Sequence, residues 1–276
     1  MLELIKKKLM NTGKITFLFR KLGCMHFLDK MKFYFYFFKN YKKNKAFTKK
    51  YPSLKFPPNY MMFESFQLDY EKYYFGGETT AKYIINNIAK HTSLENKKIL
   101  DWGCGPARVI RHLPSLLPES TAVYGTDYNK DTIAWCKKHI EKISFENNEI
   151  NPPLVFASDF FDVIYGISIF THLSEENHYA WLEELLRVAK SGAVLLFTTH
   201  GEAFKPIMTE AEKEAFEEGN LLIRDNVKEG HRVYAAFHPL SFMKNMFQVS
   251  CEIIEHIPGK QESWGFSQDV WIVKKK

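Results

Sequence analysis

The sequence predicts a doubly wound α/β domain with a mostly parallel sheet, preceded by a basic, aromatic N-terminal extension. Three observations carry this. Strand-like and helix-like segments alternate with short connections from Lys98 onward, and a glycine-rich turn, Gly103-Cys104-Gly105, follows the first of those strands directly. The charge is also divided: residues 1–50 hold 14 Lys and Arg against 2 acidic residues, while the whole chain of 276 residues is only +6. Alternation of this kind implies right-handed crossovers and a sheet covered on both faces.

In the extension, Met31-Lys-Phe-Tyr-Phe-Tyr-Phe-Phe-Lys39 lies between lysine-rich flanks. Its rings suit a lipid interface while the lysines meet acidic headgroups. The competing reading packs the same rings onto the main domain or a partner subunit, and a stacking groove for nucleic acid ranks below both. Residues 51–74 are rich in Pro and aromatics, with Phe56-Pro-Pro-Asn59 as an extended connector. Gly76-Gly77 is then expected to break the chain before a helix over 79–89, in which Ala81, Ile84, Ile85 and Ile88 share one face. This places the extension and lead-in at 1–75 and the compact domain at 76–276.

Within the domain the pattern predicts strands at 98–102, 122–127, 162–169 and 193–199. Helices are expected at 107–113, 130–140 and 175–189, the last ending at Gly192. The tail departs from strict alternation. An acidic helix over 209–218 opens with a Thr209/Glu212 capping box, His238-Pro239 starts another short helix, and strands at 252–257 and 269–274 pair at the sheet edge, one of them antiparallel.

Composition narrows the function classes. With 45% hydrophobic and 25% charged residues the chain is globular in type. No run approaches the ~18 consecutive apolar residues of a spanning helix. Cys24, Cys104, Cys136 and Cys251 include no Cys-x-x-Cys pair, which argues against a disulfide scaffold or a zinc ribbon. The expectation is a cytoplasmic protein, with peripheral contact at the inner face of a membrane through residues 1–50.

The strongest local signal is Lys98-Ile-Leu-Asp-Trp-Gly-Cys-Gly-Pro-Ala-Arg-Val-Ile-Arg-His-Leu113, a strand, a tight turn and an expected helix. Glycines there let a ligand approach bare backbone. Asp127 ends the next strand, where a carboxylate can accept both hydroxyls of a ribose. A dinucleotide fingerprint requires glycine where Arg108 stands, and Asp101, two residues before Gly103, would repel a pyrophosphate. An ammonium and a sulfonium would instead be attracted, and S-adenosylmethionine carries both.

At these residues the chain resembles the class I S-adenosylmethionine-dependent methyltransferases, whose first motif reads acid-x-Gly-x-Gly and whose next strand ends in an acid. The resemblance covers about residues 77–275. It implies a Rossmann-like, seven-stranded sheet with the last strand antiparallel. It further implies that Asp101, Gly103, Cys104 and Gly105 surround the methionyl part and that Asp127 and Tyr128 hold the ribose and flank the adenine. Backbone near Tyr165 and Gly166 would face the cofactor. The motif's third glycine is replaced by Ala107, and the adenine-side residue stays open between Asn147 and Asn148. The segments Thr198-Thr-His-Gly201, His238-Pro-Leu240 and Ser267-Gln-Asp-Val270 look like those of a methyltransferase subset met beside glycan-assembly enzymes.

Methyl transfer to an alcohol needs a base. His200 and His172 follow the fifth and fourth expected strands, at the carboxyl ends where α/β sheets place active sites. Each could equally serve a turn or pack a helix. His238 ranks lower, as part of a structural His-Pro turn. No His, Asp or Glu set has metal-ligand spacing, so no metal is expected. The reading is methyl transfer to a hydroxyl or amine, with a glycan or glycolipid favoured. The alternatives are a non-catalytic S-adenosylmethionine-binding partner of another enzyme and, third, a nicotinamide-linked oxidoreductase. Acceptor choice is expected to reside in the lead-in and in the insert over 202–238, neither of which carries a readable motif.

Overall fold

The computed structural model describes residues 23–225 and 227–276, so the expectations placed on residues 1–22 lie outside the described residues. Three helices lead into the sheet: α1 (Met25–Lys50), α2 (Asn59–Ser65) and α3 (Tyr70–Ala89). One face of α1 is anchored. Asn40 and Asn44 donate their side-chain amides to the Leu68 carbonyl at 2.7 and 3.3 Å, Asn44 Oδ1 accepts from the Tyr70 amide, and Lys43 bonds Asp69. Asp69 also caps α3 by accepting from the Lys72 amide. Phe33 and Phe37 of α1 pack on a cluster of Met62, Phe63, Leu68 and Tyr73. Part of the aromatic stretch therefore packs inward, on the lead-in over 51–75.

The expected break at Gly76-Gly77 does not occur, because α3 runs through both glycines. A Cβ on Gly77 would lie 2.1 Å from the Arg108 carbonyl oxygen. The glycine serves close approach of α3 to the loop after the first strand, and the boundary between 75 and 76 falls inside a helix.

The strands follow in order: β1 (Lys98–Trp102), β2 (Ala122–Asp127), β3 (Ser144–Asn147), β4 (Phe161–Gly166) and β5 (Ala189–Thr199), then β6 (Leu222–Arg224) and β7 (Ala235–Phe237), which pair only with each other. After them come β8 (Cys251–Ile257), the small hairpin β9 (Gln261–Glu262) and β10 (Gly265–Phe266), and β11 (Asp269–Lys275). The main sheet has seven strands in the order β3-β2-β1-β4-β5-β11-β8. β11 is antiparallel to both neighbours, β5 and β8. The two C-terminal strands form the expected pair at the sheet edge: β8 is the edge strand, and β11, the antiparallel member, lies between it and β5.

Central strands of a parallel sheet are buried on both faces and so read as continuous apolar runs. Ile99, Leu100, Val163, Ile164, Leu195 and Leu196 are fully buried, and they divide between two cores. One core holds Trp102, Trp181 and Trp271 under α6 (Glu175–Val188) and α8 (Leu240–Gln248); the other lies under α3 and α5 (Lys130–His139). Truncating any such residue to alanine costs about 2–5 kcal/mol.

Several boundaries differ from expectation. β3 was not foreseen, being only four residues long with one buried side chain. β4 stops at Gly166 rather than 169. β5 begins at Ala189, straight after α6, with Gly192 inside it. The helix expected over 107–113 is absent. Ala107 has φ 62°, in the left-handed region, so the chain turns and resumes only as a 3-10 turn at Ile110–His112 and a short α4 (Leu113–Leu116). The capping box on α7 (Glu210–Glu217) is present as expected.

Candidate active site

The carboxyl ends of β1, β2, β4 and β5 open into a cavity of about 1030 Å³. This is the upper end of the range for small-molecule sites. Its floor is the glycine turn. Gly103 and Cys104 both donate their amides to the Thr126 carbonyl, at 2.9 and 2.8 Å, and Gly105 donates to Asp127 Oδ2 at 3.0 Å. Gly103 has φ 76° and a Cβ there would meet Ile169 at 2.1 Å, so the turn presents backbone only. The Cys104 side chain is buried, and burial pushes its thiol well above the usual range, away from nucleophilic chemistry.

Two acids stand at the strand ends. Asp101 is 2% exposed and accepts from the Tyr165 hydroxyl at 2.8 Å. Burial pushes it up to about 7, with the Tyr165 bond and nearby Arg108 acting against that rise. Asp127 accepts from Gly105 and, through Oδ1, from the Asn129 amide at 2.9 Å; burial still lifts it to about 6. Arg108 lays its guanidinium 4.6 Å from the Phe66 ring centroid and lines the same cavity.

Beyond Asp127 the two asparagines separate. Asn147 donates its side chain to the Asp127 carbonyl at 2.8 Å, whereas Asn148 lines the cavity and its Oδ1 is buried without a hydrogen-bond partner. A buried acceptor left open is costly unless a ligand donor meets it, and an exocyclic amino group of adenine is such a donor. Tyr128 lines the cavity too, reaching across to the Gly230 carbonyl at 3.3 Å.

Tyr165 and Gly166 do not line the cavity. Tyr165 is fully buried and acts only on Asp101, while a Cβ on Gly166 would strike Trp102 at 2.7 Å. The stretch after β4 that lines it is Ile167, Ser168 and Ile169. Ser168 joins Thr198 and Gln268 in a closed set of bonds: its amide donates to Thr198 Oγ1, that hydroxyl donates to Gln268 Oε1, and Gln268 Nε2 donates to Ser168 Oγ.

The two candidate bases sit on the opposite wall. His172 Nδ1 bonds the Tyr234 carbonyl at 2.7 Å and His200 Nδ1 bonds the Ala236 carbonyl at 3.1 Å. A carbonyl can only accept, so each Nδ1 carries the proton and each Nε2 keeps its lone pair. Tyr234 immediately precedes β7 and Ala236 lies within it, so one segment holds both imidazoles. Burial lowers the pKa of both, to about 3 for His200, so both rings are neutral near pH 7. His238 is elsewhere. It lies 1% exposed against His178, Nε2 to Nε2 at 2.8 Å, outside the cavity. Among the described residues no group of three or more His, Cys, Asp or Glu could hold a metal ion.

Sequence reasoning missed Ile167 to Ile169, Arg232 and the role of β7. The signal for β7 was lacking because carbonyls hold the histidines, and any residue has a carbonyl. Arg232 lies on the cavity wall, its guanidinium 4.0 Å from the Phe63 ring centroid and bonded to the Phe63 carbonyl at 2.7 Å.

A family profile described as a methyltransferase domain matches residues 99–192. Among solved structures, the chain is similar to a SAM-dependent methyltransferase from Methanosarcina mazei at 19% identity and TM-score 0.52, over 68% of this chain and 96% of that one. A magnesium protoporphyrin IX methyltransferase from Synechocystis with bound SAH matches at 13% identity and TM-score 0.52, over 73% and 84%. An S-adenosylmethionine-dependent methyltransferase from Mesorhizobium loti matches at 11% and 0.52, over 71% and 98%. The matched domain and the strand order together make this chain an enzyme with the fold of the S-adenosylmethionine-dependent methyltransferases and with S-adenosylmethionine as its cofactor.

Proposed function

We propose that the protein transfers a methyl group from S-adenosylmethionine to a hydroxyl or amine of a glycan or glycolipid. The observation that carries the chemistry is the pair of neutral imidazoles, His172 and His200, whose Nδ1 protons are engaged by Tyr234 and Ala236, whose Nε2 atoms have no hydrogen-bond partner among the described residues, and which line the same cavity as Asp101, Asp127 and Asn148. Bound S-adenosylmethionine supplies an electrophilic methyl group on a sulfonium. Asp101 attracts the cationic methionyl end, Gly103 to Gly105 leave room for it, Asp127 and Tyr128 take the ribose, and Asn148 Oδ1 accepts from the adenine amino group. In-line displacement needs little beyond alignment in a dry site. His172 or His200 accepts the acceptor's proton at Nε2 as the new bond to carbon forms.

The glycan preference rests on one group of residues in the cavity lining. There the turn of the β9–β10 hairpin offers Trp264, 73% exposed, beside Phe266, Lys260 and Gln268. Flat rings with hydrogen-bonding neighbours suit the C–H faces and hydroxyls of a sugar. The experiment is S-adenosylhomocysteine release from purified protein with glycan and glycolipid fractions as acceptors, in wild type, His172→Ala and His200→Ala. One of the two variants should lose roughly 10²–10⁴-fold in rate with cofactor affinity retained. Full activity in both would remove the base assignment. Cofactor binding with no turnover on any acceptor class would favour the binding-partner reading.

A further inference from the structure

The geometry of α1 points to a second working surface, and we propose that its outward face docks the protein on an anionic lipid bilayer. The inner face of α1 is fixed by the Asn40, Lys43 and Asn44 clamp and by Phe33 and Phe37. The opposite face carries Phe27, Met31, Tyr34, Phe38 and Tyr41, at steps of four and three residues, with Phe35 beside them. That spacing lines them along one side of the helix. All six are exposed, Phe27 at 61%, Phe35 at 60% and Phe38 at 72%. Single exposed apolar residues are ordinary, but a continuous aromatic stripe over four turns marks an interaction surface.

Charge selects the occupant. The helix has eight lysines and one acid, Asp29, and that acid is buried on the inner side. Lys42, Lys45 and Lys49 continue the aromatic stripe toward the helix end, are exposed, and have no acidic partner among the described residues. Lys30 flanks the stripe in the same state. A second copy of this helix would set lysines against lysines, a like-charge contact that opposes association. An interface with acidic headgroups takes the rings into the acyl boundary and the ammonium groups into the headgroup layer. No helix among the described residues is long and apolar enough to cross a membrane, so the contact is one of lying on the surface.

The surface adjoins the cavity. α2 packs directly on α1 through Phe33 against Tyr60 and Phe63, with ring centroids 5.6 and 5.5 Å apart, and the other side of α2 supplies Met61, Glu64 and Ser65 to the cavity wall. The docking face and this part of the cavity wall thus lie on opposite sides of one helix pair. The docking does not rest on the methyl-transfer reading.

The test is co-sedimentation of the full chain with vesicles of phosphatidylcholine alone and of phosphatidylcholine mixed with phosphatidylglycerol. Wild type should bind the acidic vesicles selectively, and more weakly as salt rises. Lys42→Gln/Lys45→Gln/Lys49→Gln should weaken partitioning about 100-fold, roughly fivefold per lysine. Phe35→Ser/Phe38→Ser should weaken it roughly tenfold per ring. S-adenosylhomocysteine affinity, measured on the same samples, should be unchanged, which shows the variants folded and keeps this test apart from that of the methyl-transfer reading. Equal binding to neutral vesicles, or partitioning that ignores both variants, overturns the proposal. So does a wild-type dimer that Phe35→Ser/Phe38→Ser disperses without vesicle binding, which assigns the face to a second copy. Vesicle binding that appears only after removal of residues 1–22 overturns it likewise, assigning the face to that segment.

Discussion

Replacing Asp101 by asparagine separates the cost of a buried acid from its use. The carboxyl is 2% exposed and accepts one hydrogen bond, from Tyr165, which an asparagine oxygen can also accept. In the folded protein its pKa stands at about 7, raised by burial, against about 3.9 in an unfolded chain. Because the folded value is raised, the folded state holds the extra proton between about pH 4 and 7. Stability is therefore full below about pH 4 and falls as pH rises to about 7. Three units at 1.36 kcal/mol each give a penalty of up to about 4 kcal/mol at about pH 8. Asp101→Asn should recover most of it there and little at about pH 4, and at about 2–4 °C per kcal/mol the gain appears directly in Tm. The same substitution removes the charge that meets the cationic methionyl end. Wild-type affinity for S-adenosylmethionine should fall about tenfold per pH unit below about 7, while the variant binds at least tenfold more weakly and without that slope. Thermal unfolding across pH together with calorimetric titration reads both. Parallel pH profiles for the two proteins, or wild-type affinity in the variant, would refute the reasoning.

Two further substitutions test the cradle and the scaffold under it. Asn148→Leu removes the buried unpartnered acceptor, so S-adenosylhomocysteine affinity should fall roughly three- to tenfold with Tm unchanged or higher; unaltered affinity by calorimetry would detach Asn148 from the adenine. Gly77→Ala reverses the usual helix rule, under which it would gain about 1 kcal/mol. The 2.1 Å approach to the Arg108 carbonyl should instead cost about 1–3 kcal/mol, visible in the denaturation midpoint, and a raised midpoint would refute the close contact.

Particular elements show what was legible. β1, β4 and β5 announce themselves because strands buried on both faces are written as largely apolar runs. The glycine turn and Asp127 were readable because a tight turn restricts residue type and a strand-end acid follows in order. The expected helix after the turn failed at Ala107, a residue of high helix propensity that stands at φ 62° with its amide donated back to the Cys104 carbonyl. Gly77 misled in the opposite sense, as a breaker by composition that is an ordinary helical residue in a crowded place.

By itself the sequence determined the fold class, the cofactor loop and the charged character of the extension, since hydrophobic period, glycine placement and net charge are local properties of the chain. Only the tertiary structure decided which wall each side chain joins. It withdrew Tyr165 and Gly166 from the cavity, admitted Asn148, and turned Phe33 and Phe37 inward while Phe35 and Phe38 face out. It also fixed the tautomers of His172 and His200 through carbonyls more than thirty residues away in sequence. Backbone carbonyls, close approaches and the choice of which face of an aromatic, lysine-rich helix turns inward leave no mark in residue identity; they exist only once the chain has brought distant segments together.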